Sequence, residues 1–219
     1  MEPGAHESLV LRMTPASAVA KGVRYCGVLL CTFVALFSYR YVVKLGLVPS
    51  NVLANRFFDH WVVVHAGTAS TALLLGILQL SGAFRQRWPG LHRACGWLYV
   101  LNCIVGGVSG VVLSTGVSSG PMAAAGFGVL GVMWVYVTVQ GLLTARAKDF
   151  SQHRVWMIRS YALTFAAVTL RLYLPISQMT GIDFITAYQY IAWLAWVPNV
   201  LIAEACIRKR ICAKPARGN

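Results

Sequence analysis

At 219 residues, 58% hydrophobic and 11% charged, with a mean hydropathy of +0.64, the chain is far more apolar than a soluble domain of ordinary usage. It reads as a multi-pass membrane protein. A formal net charge of +13 would ordinarily raise nucleic acid as a partner, but the basic residues fall in short stretches between apolar runs. Topology accounts for them, and no nucleic acid partner is expected.

Residues 1–24 are polar, carry Arg12, Lys21 and Arg24, and read as a partly disordered cytoplasmic lead. The first predicted span is 25–48, uncleaved, with Arg40 and Lys44 near its far end snorkelling to headgroups. The second is 61–83, opened by His60 and Trp61 and holding His65 near its outer side. A basic turn at 84–90 leads to the third span, 91–115, where Gly106 and Gly110 form a small-xxx-small ridge. The fourth is 122–143. Within it residues 126–131 match G-x-G-x-x-G, but no strand precedes them, so the glycines read as helix packing.

The fifth span, 151–175, has the sequence SQHRVWMIRSYALTFAAVTLRLYLP, with Ser151 as N-cap and Pro175 as stop. About 24 residues at 1.5 Å rise give roughly 36 Å, enough to cross a bilayer core with some tilt. It carries His153, Arg154, Arg159 and Arg171, and ionisable groups at membrane depth each need a reason. The sixth span is 184–207, with Glu204 near its end, and 208–219 is a basic, mobile cytoplasmic tail. The fold expected is therefore all-α, an integral membrane bundle of six transmembrane helices over 25–207. Of the 19 Lys and Arg residues, 14 lie on the side of the lead, the 84–93 and 146–154 turns and the tail. The positive-inside rule then places both termini in the cytoplasm and the protein in the plasma (bacterial inner) membrane.

Six cysteines lie mostly in apolar runs without C-x-x-C spacing, so they read as small buried hydrophobes rather than a disulfide framework. No G-x-S-x-G, H-E-x-x-H or P-loop pattern occurs, and six acids are too scattered for a hydrolytic carboxylate pair. A soluble-type hydrolase is excluded.

The third and fifth spans both run outward, so His92 and His153, each near its helix start, fall at one depth. Two histidines on different helices at one level are what axial ligation of a haem requires, and Arg93 adds a basic group beside them. The plainer reading makes both interfacial histidines that meet headgroups. His65 has no histidine opposite it in the fourth or sixth span; a hydrogen-bonded core histidine is favoured over a proton relay or a ligand completed by Met122. Arg171 lies at about the depth of His65, with Asp59 and Asp183 as the nearest acids for an ion pair. Anchoring an anionic ligand is its alternative role. Arg159 and Glu204 are both just inside the cytoplasmic face and are expected to pair.

His65-Ala66-Gly67, LLLGILQL at 73–80, LHRACGWLYV at 91–100, Gly126-Phe127 with Trp134, HRVWMIRSYALTFAAVTLRLYLP at 153–175, and AWLAWVPN at 192–199 with Glu204 form a combination. It resembles a family of predicted bacterial membrane proteins of unknown function. A fainter likeness is to the six-helix ascorbate-reducible cytochromes b, in which histidines of the second and fourth helices hold one haem and those of the third and fifth another. That likeness carries over only the inner site, His92 with His153, since the fourth span has no histidine.

The leading expectation is a single b-type haem between His92 and His153 near the cytoplasmic face, acting in electron transfer with an electron donor or other membrane subunits. The competing expectation is a haem-free transporter or assembly protein with buried ion pairs. In that case there is no cofactor.

Overall fold

The computed structural model describes residues 15–43 and 50–212. All regular structure among them is helical. In chain order the elements are α1 (Pro15–Ser38), a 3-10 turn (Tyr39–Tyr41), α2 (Ser50–Leu53), a π turn (Phe58–Val62), α3 (Val63–Gln79), α4 (Gly82–Arg87), α5 (Pro89–Thr115), α6 (Pro121–Arg146), α7 (Phe150–Thr164), α8 (Ala166–Met179), α9 (Phe184–Leu194) and α10 (Val197–Cys212). Backbone hydrogen bonds within a helix leave none for lipid, which is why a chain this apolar takes this form.

Among the described residues, five helical stretches are long and apolar enough to cross a membrane: Lys21–Tyr41, Phe58–Gln79, Pro89–Thr115, Pro121–Arg146 and Phe184–Lys209. The expected fifth span arrives instead as two helices. With 15 and 14 residues, α7 and α8 rise about 22 and 21 Å, and neither alone covers a hydrocarbon core of about 30 Å. They meet at Phe165, which keeps right-handed dihedrals of −66° and −14°. Around it Thr164 Oγ1 donates to Ser160 O at 2.9 Å and Thr169 Oγ1 to Phe165 O at 3.3 Å, the back-bonding that bends helices. The α9–α10 break has a different cause. Pro198 has no N–H for the carbonyl of Leu194, the last residue of α9, and its ring crowds that carbonyl.

Several boundaries differ from the sequence reading. Residues 15–24, expected in a disordered lead, open α1, while 1–14 lie outside the described residues. Residues 208–212, expected as mobile tail, close α10; 213–219 lie outside the described residues, as do 44–49 with Lys44. The basic turn at 84–90 contains the short helix α4, capped by Ser81 Oγ, which accepts from Phe84 N–H at 3.2 Å. Asp149, not Ser151, caps α7. Its carboxylate accepts from Gln152 N–H at 3.0 Å and from Ser151 Oγ at 2.7 Å. Pro175 does not stop the helix either: α8 runs through it to Met179 and ends before Gly181, which takes a φ of 73°.

Helices α3, α5, α6 and α7 pack in succession, and α7 returns to α3, so these four close a ring. Around it, α1 lies on α3 and α8, and α9–α10 lies on α6, α7 and α8. Tyr99, Cys103, Trp134, Val137 and Leu163 form the ring's core, and a second cluster of Cys31, Val34, Ala35, Leu73 and Val168 seats α1. Outward faces stay apolar, with Leu29, Leu36, Leu98, Leu101, Val132 and Leu201 exposed, as a surface facing lipid tails must be. The cysteine reading holds for Cys31 and Cys103, which are buried, whereas Cys26 and Cys206 are exposed.

Glycine sets the closest approach. A Cβ on Gly131 would lie 2.9 Å from Gly107 O and 2.8 Å from Val111 Cγ2, and one on Gly107 would lie 3.1 Å from Gly131 O. α5 and α6 thus touch backbone to backbone. On the Gly106 and Gly110 ridge, Gly110 meets His65 of α3, and Gly106 meets both Thr68 of α3 and the Trp134 indole of α6. All three glycines of the G-x-G-x-x-G match are packing positions in α6: Gly126 meets Ala192, Gly128 meets Ser114 and Gly131 meets α5.

Gly131→Val is expected to destabilise the protein by about 1–3 kcal/mol, the cost of overpacking. Gly22→Val, where a Cβ meets nothing within 4 Å, should change stability by less than about 0.5 kcal/mol in the same denaturation assay. The Asp149 cap adds a pH dependence outside the spans. The Gln152 amide, followed by the Ser151 hydroxyl, holds this carboxylate below the usual carboxylate range. Its support of α7 is therefore complete above that range and is lost as pH falls through the depressed value. Amide exchange at 151–153, corrected for intrinsic rates, should accelerate on acidification in the native protein and show no such step in Asp149→Asn.

Candidate functional site

Two cavities lie at opposite ends of the ring. The first, of about 1060 Å³, is bounded by the end of α3, by α4, the start of α5, the end of α6, and by α7 and α10. His92, Arg93 and His153 all line it, with Arg85, Arg146 and Arg154. None of the four acids among the described residues (Asp59, Asp149, Asp183 and Glu204) does so. Trp97, Tyr99, Leu142, Met157 and Ile202 supply apolar wall.

Each imidazole is placed by its helix start. Asp149 caps α7 and sets His153 one turn in, where Nδ1 lies 2.8 Å from Gly141 O. A carbonyl only accepts, so Nδ1 carries the proton and the Nε2 of the neutral ring carries the lone pair. Gly141 permits the close α6–α7 seat, since a Cβ there would lie 2.7 Å from Met157 Sδ. His92 begins α5 behind Pro89, and its carbonyl accepts from Gln79 Nε2 at 3.1 Å, which ties the end of α3 to the start of α5. Its ring stands edge-on to Phe84, centroids 6.3 Å apart, and its Nδ1 is buried with no hydrogen-bond partner among the described residues. No group of three or more His, Cys, Asp or Glu side chains among those residues could hold a metal ion.

The second cavity, about 620 Å³, lies where the ends of α1, α5 and α8 meet the starts of α3, α6 and α9. His65, Arg171 and Arg40 line it, again without an acid. His65 Nδ1 is 2.9 Å from Gly106 O and 3.4 Å from Ser109 Oγ, a hydrogen-bonded histidine in its helix interface. Met122 does not line this cavity. The ion pair expected for Arg171 is absent. Asp183 instead caps α9, accepting from Thr186 N–H at 3.1 Å, and the single ion pair among the described residues is Arg159–Glu204. Arg171 Nη1 donates to Ala167 O at 2.9 Å.

Between the cavities runs a cluster of buried hydroxyls. Tyr99 Oη lies 2.9 Å from Ser160 Oγ and 3.1 Å from Thr164 Oγ1; Thr138 Oγ1 lies 2.7 Å from Ser160 Oγ; Trp134 Nε1 donates to Thr164 Oγ1 at 2.9 Å. Tyr99 faces the first cavity, and Trp134 and Thr164 face the second. Sequence reading passed over this cluster, and over the cavity roles of Arg85, Arg146 and Arg154, which it took as topology signals, and of Arg40, which it took as a snorkelling residue. The signal available for the arginines was helical phase. Arg85 lies seven residues before His92 across a break, so phase did not carry to it.

Arg159 and Glu204 line neither cavity. Their contact is bidentate, Nε to Oε1 at 2.5 Å and Nη2 to Oε2 at 3.1 Å, with the guanidinium 4.6 Å from the centroid of Trp156. It joins α7 to α10 as a fork on a carboxylate, the geometry Arg forms and Lys cannot. Glu204→Gln should cost about 1.5–3 kcal/mol, the range for hydrogen bonds to charged groups. Arg159→Met with Glu204→Leu should recover most of that loss, and a double-mutant cycle on unfolding free energy measures the coupling.

Comparison with curated proteins and comparison with solved structures each find no match, so the likeness to the six-helix cytochromes b has no support from them. Residues 62–207, from within the second stretch to near the end of the last, match the family described as predicted membrane protein (DUF2306), and the chain belongs to that family of unknown function.

Proposed function

We propose that the chain is a plasma-membrane electron-transfer protein that crosses the bilayer six times, both termini cytoplasmic, and holds one b-type haem between His92 and His153. One observation carries this reading: two imidazoles and four arginines, without an acid, line a single cavity of about 1060 Å³. α7 and α8 together, 150–179, serve as the fifth crossing. The arginine-lined end is the side that the positive-inside rule assigns to the cytoplasm.

The residues fit such a group in three respects. His153 directs its proton to Gly141 O, the second-shell contact that fixes an imidazole's ligating nitrogen. His92 has a buried, unpartnered Nδ1, a polar atom in want of an occupant of this cavity or of a proton acceptor within it. Arg85, Arg93, Arg146 and Arg154 offer guanidinium forks to two carboxylates. When bound, the group supplies reversible one-electron chemistry. The protein's part is to orient the two imidazoles, neutralise the carboxylates and keep water out with Trp97, Leu142 and Met157.

The second reading is a haem-free transporter or assembly subunit. It is supported by the Arg159–Glu204 fork, which joins helices and needs no cofactor. The largely apolar wall of the cavity holding His65 and Arg171 weighs against a polar conduit there.

An absorption spectrum of the detergent-purified protein from haem-replete cells, oxidised and then dithionite-reduced, separates the two. The expected result is a reducible Soret and α band, lost in the His92→Ala, His153→Ala double variant. A colourless but cooperatively unfolding wild-type protein would overturn the haem reading.

A further inference from the structure

We infer that the cavity at the other end of the ring is a binding site for an anionic amphiphile. Its oxyanion head, carboxylate or phosphate, lies against Arg40 and Arg171, and its apolar body lies within the cavity. The inference does not depend on haem, since the hydroxyl cluster of Tyr99, Ser160 and Thr164 stands between the two cavities.

The argument begins with charge. An arginine stays protonated under all ordinary conditions, so two of them in one cavity are two fixed positive charges. Neither has a carboxylate among the described residues: none of their four acids lines the cavity, and Asp149, Asp183 and Glu204 serve in the caps and the ion pair already described. Taking an uncompensated charge out of bulk water is costly, and an anion supplies what water and carbonyls do not.

Hydrogen bonding gives the same answer independently. A guanidinium has five N–H donors. Among the described residues, Arg171 uses one, Nη1 to Ala167 O at 2.9 Å. Arg40 donates Nη2 to Tyr41 Oη at 3.1 Å and leans on the Phe37 ring, 4.1 Å from its centroid, while its Nε is buried without a partner among the described residues. His65 commits Nδ1 to Gly106 O, and its Nε2 makes no hydrogen bond among the described residues. Unused guanidinium donors thus line one space from the 3-10 turn after α1 and from α8.

Most of the remaining wall of that space is apolar. Leu30, Phe33, Leu73, Phe127 and Leu170 line it, and about 620 Å³ is of the size that encloses a small-molecule ligand. Free inorganic phosphate would meet the arginines but leave these walls unfilled. A fatty-acid carboxylate and the phosphate of an acidic phospholipid meet both requirements.

The test uses the full chain in an uncharged detergent, titrated with oleate, dioleoyl phosphatidylglycerol or zwitterionic dioleoyl phosphatidylcholine and read by native mass spectrometry. Wild type should bind one oleate or one phosphatidylglycerol at least tenfold more tightly than phosphatidylcholine; the tighter of the two identifies the source of the head group. Arg171→Gln and Arg40→Gln should each weaken that binding at least tenfold, and Arg85→Gln, in the other cavity, should leave it unchanged. Equal binding of the anions and phosphatidylcholine by wild type would overturn the proposal, and that comparison needs no variant to fold. So would a cooperatively unfolding Arg40→Gln protein that binds as wild type does, or an equal loss in Arg85→Gln.

Discussion

The structure depends on satisfying hydroxyls where there is no water. Tyr99, Thr138, Ser160 and Thr164, with the indole of Trp134, bond one another across α5, α6 and α7 at the centre of the ring. Lipid tails are as apolar as leucine, so helices in a bilayer are not driven together by hydrophobicity; packing and interhelical hydrogen bonds do that work. Three helices meet here at fixed phase because only in that phase do these side chains bond one another across α5, α6 and α7. The arrangement also divides the interior. One cavity lies on either side of it.

Both cavities gather arginines and exclude acids, but they reach that state by different routes. At one end four arginines come from helix starts and ends, Arg85, Arg93, Arg146 and Arg154, where basic residues also set topology. At the other end Arg171 stands inside α8, and Arg40 lies in the 3-10 turn that follows α1. Charges near a helix end can be solvated by headgroups. Arg171 has a carbonyl of its own helix for company, a weaker form of compensation than Arg159 obtains from Glu204.

Much of this was legible from the residues, and the limits have physical causes. Helical rise alone puts His92 and His153 at one level, and both line one cavity. The same arithmetic puts Arg159 level with Glu204, which form the fork. Rise gives depth but not azimuth. Arg171 shares its depth with Asp183, which caps α9, and the ion pair expected for it is not formed among the described residues. Serines and threonines in apolar helices commonly bond their own backbone, as Thr68 and Thr71 do here, so the central cluster looks no different in sequence from those. Boundaries failed where two residue types compete for one job: Ser151 looks like a cap, yet it donates to Asp149, the acceptor that serves. Pro175 looks like a stop, yet a proline near a helix end removes only one backbone bond, and α8 continues for a further turn.

The contact between Gly107 and Gly131 bears on how the protein is made. The α5–α6 hairpin joins two apolar helices through a connection of only five residues, 116–120, and its interface is formed by the chain segments nearest each other in sequence. Its loop-closure entropy is therefore small, and its seam is complete without any other helix. During synthesis the pair can insert and lock before α7 exists. It then presents Tyr99, Trp134 and Thr138 as a preformed half of the central cluster, so the order of assembly follows the order of the chain.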